Sequence, residues 1–549
     1  MANSRLKTFC ALFAAASLPY CTAEDLGGRL SAAGPRTEAF DPAAYAEVRY
    51  VSPTGADTAD GSRAHPWRTP VHALQAVRPN GNARAAILIA EGVYAGATIS
   101  LKPGVELFGG FEASNWSREI RLHQTVLDGE GKRRVVVGAD RARLDGFVVR
   151  NGRVRGQGGG LLADGVAPTV SNNVFQANST VAPENWNPKQ KHQTANDGGA
   201  IAVLHGGAPA IAHNLFAGNA TETGRGGALA CVRSSPRIEG NIFLSNLAGT
   251  NDAGRSSDGG AISLFDRSNP LVAENLLVGN RTKASNDGGG IFVALWSAPV
   301  IRGNTIVGSW GDDDGGALFV GGQEHHYDSP LDPIPPASAY LVRIDDNLIA
   351  GNDNSSHNAG VARLTMQSRV AMSGNIAFEN VGGLKIETSG ATLDRNVLAG
   401  ALTVSNTSKA SHVLPGPVVL TNNVIAGPVD LQMEVEVRGS CGPGLPAGSA
   451  NHATAPEFVG DAVSGRISAV HGGEFTTTLT VSGPPLAAGS LAGRVIRIGD
   501  TWTVVKTNDA GSIEVWGAAA GSPAAFQVAP SYRLRPGTAC ASADSAARR

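Results

Sequence analysis

Residues 196–219 read NDGGAIAVLHGGAPAIAHNLFAGN, and the fold is decided by how this stretch returns. Its opening words recur as DGGAIAV (197–203), RGGALAC (225–231), DGGAISL (258–264), DGGGIFV (287–293) and DGGALFV (314–320), at intervals of 28, 33, 29 and 27 residues. Each is followed by an apolar segment ending in Asn (PAIAHN, PRIEGN, PLVAEN, PVIRGN), then by a third short segment such as LFAGN, IFLSN or LLVGN. Weaker copies run from GGGLLADGVAPTVSNNVFQAN (158–178) to DNLIAGN (346–352), GNIAFEN (374–380), DRNVLAG (394–400) and NNVIAG (422–427). A period in the high twenties with three short strands per unit is the signature of a solenoid.

Alternation within each strand names the core. The inward columns are Ile201/Leu229/Ile262/Ile291/Leu318 and Val203/Cys231/Leu264/Val293/Val320 in the first strand. Ile211, Ile238, Val272 and Ile301 stack in the second strand; Phe216, Phe243, Leu277 and Ile306 stack in the third. Asn214, Asn241, Asn275, Asn304 and Asn347 fall at the bend between the second and third strands, where a side-chain amide can satisfy stranded backbone groups and bond its neighbour one coil on. The Gly-Gly pair suits a turn that needs positive φ and close backbone approach.

This pattern resembles the right-handed parallel β-helix of pectate-lyase-like proteins, an all-β fold. The words GGA[IL] and FxxN (FQAN, FAGN, FLSN) also resemble the repeats of the polymorphic outer-membrane adhesins. YVSPTGADTADGS, VELFGGFEASNWSREIRLHQTVLDG and LDGFVVRNG are similar to the entry coils of exported bacterial β-helix proteins. The resemblance covers roughly residues 48–460.

The chain divides accordingly. Arg5 and Lys7 precede FCALFAAASL, and Cys21-Thr22-Ala23 ends in a small residue, so 1–23 reads as a Sec-type signal peptide. The mature protein is then secreted, periplasmic or at the cell surface. Residues 24–47 form a linker. Residues 48–85 hold a first strand and a capping helix, begun by Thr69-Pro70 before VHALQAV. Residues 86–460 form the β-helix, 461–531 a small β-rich insert, and 532–549 a terminal segment. PEFVG (456–460) and YRLRPGTAC (532–540) read as two halves of one motif around that insert. Export leaves Cys231, Cys441 and Cys540. Cys231 falls in an aliphatic column and reads as an inert thiol, which leaves Cys441 and Cys540 as a candidate disulfide.

Composition excludes several classes. The 549 residues include 70 Gly, only 17% are charged, and the formal charge is −2 with no basic cluster, so nucleic acid is not an expected partner. No Walker loop supports a nucleotide site, and neither CxxC nor HExxH occurs. No later segment is apolar for the length of a membrane span.

The resemblance implies a substrate groove along the first strand, walled by the loops before it. Those loops are STVAPENWNPKQKHQTAND, AGTNDAGRSSD, RTKASND and SWGDDD, and they end in one column: Asp197, Arg225, Asp258, Asp287, Asp314. Carboxylates on consecutive coils must share a proton, bind a cation or splay into solvent, and calcium suits such an oxygen-rich cluster. Carboxylates one coil apart approach the spacing of retaining glycosidases, and two coils apart that of inverting ones. The alternative is an Asp that caps its own turn. GDDDGG, with Asp313 beside Asp314, echoes the paired aspartates of polygalacturonase-like helices but lacks their Gly-His-Gly and Arg-x-Lys companions.

The outward positions of the first strand read Ala202, Ala230, Ser263, Phe292 and Phe319, with no cation to stabilise a lyase anion. A base would come from the loops: Lys283, His192, His325 or His326. Phe292, Phe319, Trp296 and Trp310 are candidates to stack on sugar faces. Two functions remain. One is an exported β-helix that binds extracellular polysaccharide, with or without cleaving it by lyase or hydrolase chemistry. The other is a non-catalytic surface adhesion protein, although CASADSAARR lacks the final aromatic of a self-secreting barrel.

Overall fold

The computed structural model describes residues 33–184, 196–251, 257–283, 285–322, 335–354, 356–406, 416–518 and 524–540. The signal segment and His192, His325 and His326 lie outside them. The chain winds as a right-handed parallel β-helix whose coils contribute to three long sheets of 12, 14 and 12 strands. The first sheet carries Ile201–Leu204, Leu229–Val232, Ile262–Phe265, Ile291–Val293 and Leu318–Gly321, each paired in parallel with the next. Ile201, Leu229, Ile262, Ile291 and Leu318 are in register and wholly buried, as the alternation requires. Stacked equivalents also meet ring on ring: Phe216 lies 4.7 Å from Phe243 and 5.1 Å from Phe175, with the ring planes nearly parallel.

Coils between Arg153 and Thr282 hold four strands rather than three. The extra sheet joins Arg153–Arg155, Ser179–Val181, Ala220–Thr221, Leu247–Ala248 and Arg281–Thr282. Two bends per coil therefore need satisfying, and both are lined by Asn. At the first, Asn214 Nδ2 donates to Asn241 Oδ1 at 3.0 Å and to Val170 O at 2.9 Å, and Asn241 repeats this toward Asn275 and Ile211 O. The ladder runs from Asn173 to Asn423, then passes to the Ser440 hydroxyl. At the second bend, Asn178, Asn219, Asn246 and Asn280 form a parallel ladder with the same 2.9–3.0 Å steps. Those second asparagines close LFAGN, IFLSN and LLVGN, so their signal was in the repeat.

The Gly pairs have a steric cause. Gly198 sits at φ +73°, and a Cβ on Gly227 would lie 2.3 Å from Gly260 O on the next coil. Only Gly admits both the turn and the coil spacing.

The N-terminal helix, Pro70–Ala76, is capped by the Thr69 side chain accepting from His72 N. It packs against strands Glu47–Val51 and Ile99–Ser100. Glu47–Val51 already pairs with Ala85–Ala90 as the first rungs of the 14-stranded sheet, so the solenoid starts near 47 rather than 86. Residues 33–46 are not a free linker. Gly34 N donates to Gly240 O at 2.8 Å, Arg36 N to Asn172 Oδ1 at 3.3 Å, and Phe40 packs on Tyr45 and Phe108. This segment straps several coils together.

The insert is a closed six-stranded barrel between Val463 and Val528 with its own core of Leu479, Ile496, Val505, Ile513 and Val515. It docks on the outer face of the third sheet, where Val495, Val504 and Trp502 meet Leu276, Val307, Leu348 and Ala350. Trp502 lies so close that a Cβ on Gly351 would stand 2.2 Å from its ring. Third-strand segments such as LLV and TIV are buried at every position because both of their faces are covered. Val459 N donates to Arg533 O and Arg535 N to Glu457 O, joining the chain segments on either side of the barrel. Cys441 and Cys540 form a disulfide with Cα atoms 5.4 Å apart. Cys231 is a buried free thiol, and burial pushes its pKa up. Among the described residues no helix is long and apolar enough to cross a membrane.

Candidate functional site

The loops before the first sheet bring the column Asp197, Arg225, Asp258, Asp287 and Asp314 onto one edge. Each carboxylate reaches forward rather than capping its own turn. Asp197 Oδ1 accepts from Arg225 N at 2.8 Å, Asp258 Oδ1 from Asp287 N at 3.0 Å, and Asp287 Oδ1 from Asp314 N at 3.1 Å. The column is thus a charged counterpart of the Asn ladders, with one oxygen of each of these carboxylates committed to a main-chain amide. Calcium takes six to eight oxygens, and Asp258, Asp287 and Asp314 do not present that set.

Burial decides the column's electrostatics. Arg225 and Asp197 are both 1% exposed, and the guanidinium sits 3.6 Å from Asp197 Oδ2 and 3.7 Å over the Phe265 ring. Burial raises the Asp197 carboxyl, opposed by the Arg225 charge. Burial also pushes Asp258 up to about 6, opposed by the Asp287 amide and then by Arg225. These groups lie inside the wall.

The aromatic floor is a correction. Phe292 and Phe319 stack 5.2 Å apart, but both are wholly buried, with Phe265, Leu295 and Met366 packed around them. Rings this large on a sheet's outer face are covered when loops fold over them. Trp296 is likewise buried, edge-on to Tyr340 at 4.8 Å. Trp310 is half-buried and bridges Arg281 and Asp353 through its backbone. Lys283 is exposed.

The polar floor begins where the obvious repeat stops. Register carries Phe319 onto Arg363, then Lys385, then Thr403. Two cations therefore occupy the outward face that the five clear repeats leave without one. Arg363 Nη1 pairs with Asp314 Oδ2, its Nη2 lies 2.6 Å from Glu387 Oε2, and Lys385 Nζ stands 3.1 Å from Glu387 Oε1. From the next loop, His357 Nδ1 donates to Asp313 O at 2.8 Å and stands 3.1 Å from Asp314 Oδ1 and 3.3 Å from Asp313 Oδ1. Ser356 Oγ donates to Asp312 O and Asp313 O at 3.0 and 2.8 Å, and Asn354 Nδ2 donates to Gly311 O at 3.0 Å, so the two loops are pinned together. Burial, then the Asp314 charge, raises the Asp313 carboxyl.

Of the sequence candidates, the structure brings Asp313 and Asp314 into this cluster and places Asp258, Asp287 and Arg225 along the wall that leads to it. His357, Arg363, Lys385 and Glu387 were missed. The signal of Arg363, Lys385 and Glu387 is NAGVARL (358–364) and VGGLKIE (381–387), degenerate first-strand words that keep the apolar alternation, and His357 stands directly before the first. Elsewhere, an open cleft of ≈ 730 Å³ is lined by Lys132, Arg153, Arg155, Glu184 and Glu222.

Residues 53–283 match the family described as Protein of unknown function (DUF1565). Among curated proteins nothing matches the chain. Solved structures of similar outline include a tailspike protein mutant of E. coli bacteriophage HK620 in complex with pentasaccharide, at 12% identity and TM-score 0.33 over 82% of this chain and 87% of that one. The GH136 lacto-N-biosidase from Eubacterium ramulus is 12% identical with TM-score 0.33 over 71% and 67%. A rhamnogalacturonan lyase is 13% identical with TM-score 0.29 over 72% and 87%. Fits this loose leave the chemistry of this chain to be read from its own residues.

Proposed function

We propose that this is an exported β-helix protein that binds an extracellular polysaccharide along the outer face of its first sheet, with the contact centred on Asp313, Asp314, His357, Arg363, Lys385 and Glu387. The observation that carries the reading is Arg363, held between Asp314 and Glu387 on a rigid strand and only 19% exposed in its side chain. A fan of oriented donors and acceptors on a sheet is suited to sugar hydroxyls. Four carboxylates, counting Asp312, stand against Arg363 and Lys385, so the site favours a neutral glycan over a polyuronate. Cleavage of a glycosidic bond takes two carboxyl groups flanking it, and Asp313 and Glu387, two coils apart, are the pair offered here.

Titration of neutral and uronic oligosaccharides into the full chain tests this, with product analysis of the same mixtures. The expected outcome is binding of a neutral oligosaccharide, weakened at least about 10-fold by Arg363→Ala through loss of charged hydrogen bonds. Lys385→Ala, which leaves the Arg363 pairs intact, should weaken it less. Binding to neither class, or binding indifferent to both changes, would remove the reading.

A further inference from the structure

We propose that Asp313, Asp314 and His357 form a binding site for a divalent cation of the zinc class at the mouth of the polar floor. One atom from each, carboxylate, carboxylate and imidazole, lies within 4.8 Å of the other two. The separations of His357 Nδ1 from Asp314 Oδ1 and Asp313 Oδ1 are 3.1 and 3.3 Å. Ligands about 2.05 Å from a tetrahedral ion stand about 3.3 Å from one another, so these two separations match edges of such a tetrahedron. The mixed nitrogen and oxygen set suits zinc and disfavours calcium, which takes oxygens alone and more of them.

An independent observation points the same way. Asp314 is only 7% exposed, and its buried Oδ1 accepts no hydrogen bond while Oδ2 is occupied by Arg363. A buried carboxylate oxygen without a hydrogen bond is costly, and this one stands 3.1 Å from His357 Nδ1, which gives up the proton it donates to Asp313 O when it ligates the ion. The support around it is already built. Asp287 fixes the Asp314 amide, Arg363 orients the carboxylate from behind, and Glu387 holds Arg363 in turn. Such outer contacts set the direction of metal ligands. Asp312, Asp313, Asp314 and Glu387 against Arg363 and Lys385 leave two negative charges, which matches a divalent ion. The Asp313 and His357 side chains are each 42% exposed, so a coordination position stays open to solvent or to a sugar hydroxyl. That last role rests on the glycan reading above; the ion site itself does not.

The test titrates chelator-treated full-length protein with zinc ion alone by calorimetry, with manganese and calcium as comparisons and no glycan present. Cobalt(II) absorption reads the coordination geometry separately. One zinc per chain is expected, bound more tightly than calcium, with a tetrahedral cobalt spectrum. His357→Ala and Asp313→Asn should each weaken it at least about 10-fold. His205→Ala, which removes a distant exposed imidazole 2.6 Å from Asp164, should leave it unchanged. No binding at about 1 mM zinc, a preference for calcium, or equal affinity in the His357 variant would overturn the site. Any of these would leave the oligosaccharide titration free to succeed.

Discussion

Two stretches of the first sheet share one inner face and differ in the outer one. Between Asp197 and Val320 the inward positions are aliphatic apart from Cys231, and the outward ones are Ala202, Ala230, Ser263, Phe292 and Phe319, none of them more than 1% exposed. Between Ala362 and Ser405 the inward positions remain aliphatic, with Leu364, Leu384, Ile386, Leu402 and Val404 all buried, while the outward ones become Arg363, Lys385 and Thr403. The coils that repeat most faithfully are therefore wall, and the coils where the repeat decays carry the accessible polar groups. Fidelity here reports packing on both faces. Divergence marks the place where one face was released from it.

The largest effect should come from breaking the wall. Asn241→Leu removes the acceptor of the Asn214 amide and side chain and the donor to Ile211 O and Asn275 Oδ1. Several buried groups are orphaned at once, so a loss of about 4 to 6 kcal/mol is expected in chemical denaturation. A loss under about 1 kcal/mol would mean that the ladders are not what holds the bends.

The next effect sharpens the comparison through pH. Asp258 belongs to the wall, and its carboxyl is raised by burial from 3.8 to about 6. The folded state holds that proton more tightly than the unfolded chain, so the contribution is full below about pH 4 and is lost as pH rises through about 6. Two pKa units correspond to about 3 kcal/mol. Asp258→Asn keeps the oxygen that receives the Asp287 amide and should flatten this slope between about pH 4 and 6. An unchanged slope would place the titration on another group.

The smallest effect separates the two outer faces. Phe319→Leu trims a buried ring stacked on Phe292 and should lower stability by about 1 to 2 kcal/mol. Oligosaccharide affinity should stay within about 2-fold of wild type, because the ring is not available to a sugar. A large loss of affinity with little loss of stability would restore the aromatic platform and reverse the assignment of the two stretches.

Much of the fold was legible because a solenoid turns spacing into adjacency. Ile262 over Ile291 and Asn214 over Asn241 follow from the repeat alone, once successive strands are taken to pair in register. The second Asn ladder was as visible as the first, in FAGN and FLSN, but reading three strands per coil gave it no bend to serve. The outer face was harder. Phe292 and Phe319 alternate outward in the strand, and alternation states direction without stating what lies above. Arg363 and Lys385 sit in words that have lost the Asp-Gly-Gly opening, so the clear repeat ends one coil before the polar floor.

By itself the sequence determined the winding, the core columns and the amide column at the first bend, because each is a local choice repeated at constant pitch. Only the tertiary structure decided which outward residues meet water. Loops, the strap at 33–46 and the docked barrel cover some faces and not others, and that covering depends on contacts between segments far apart in the chain. The meeting of Asp314, His357, Arg363 and Glu387 is of the same kind: four residues on successive coils and loops, separated along the chain by variable lengths, made neighbours by register.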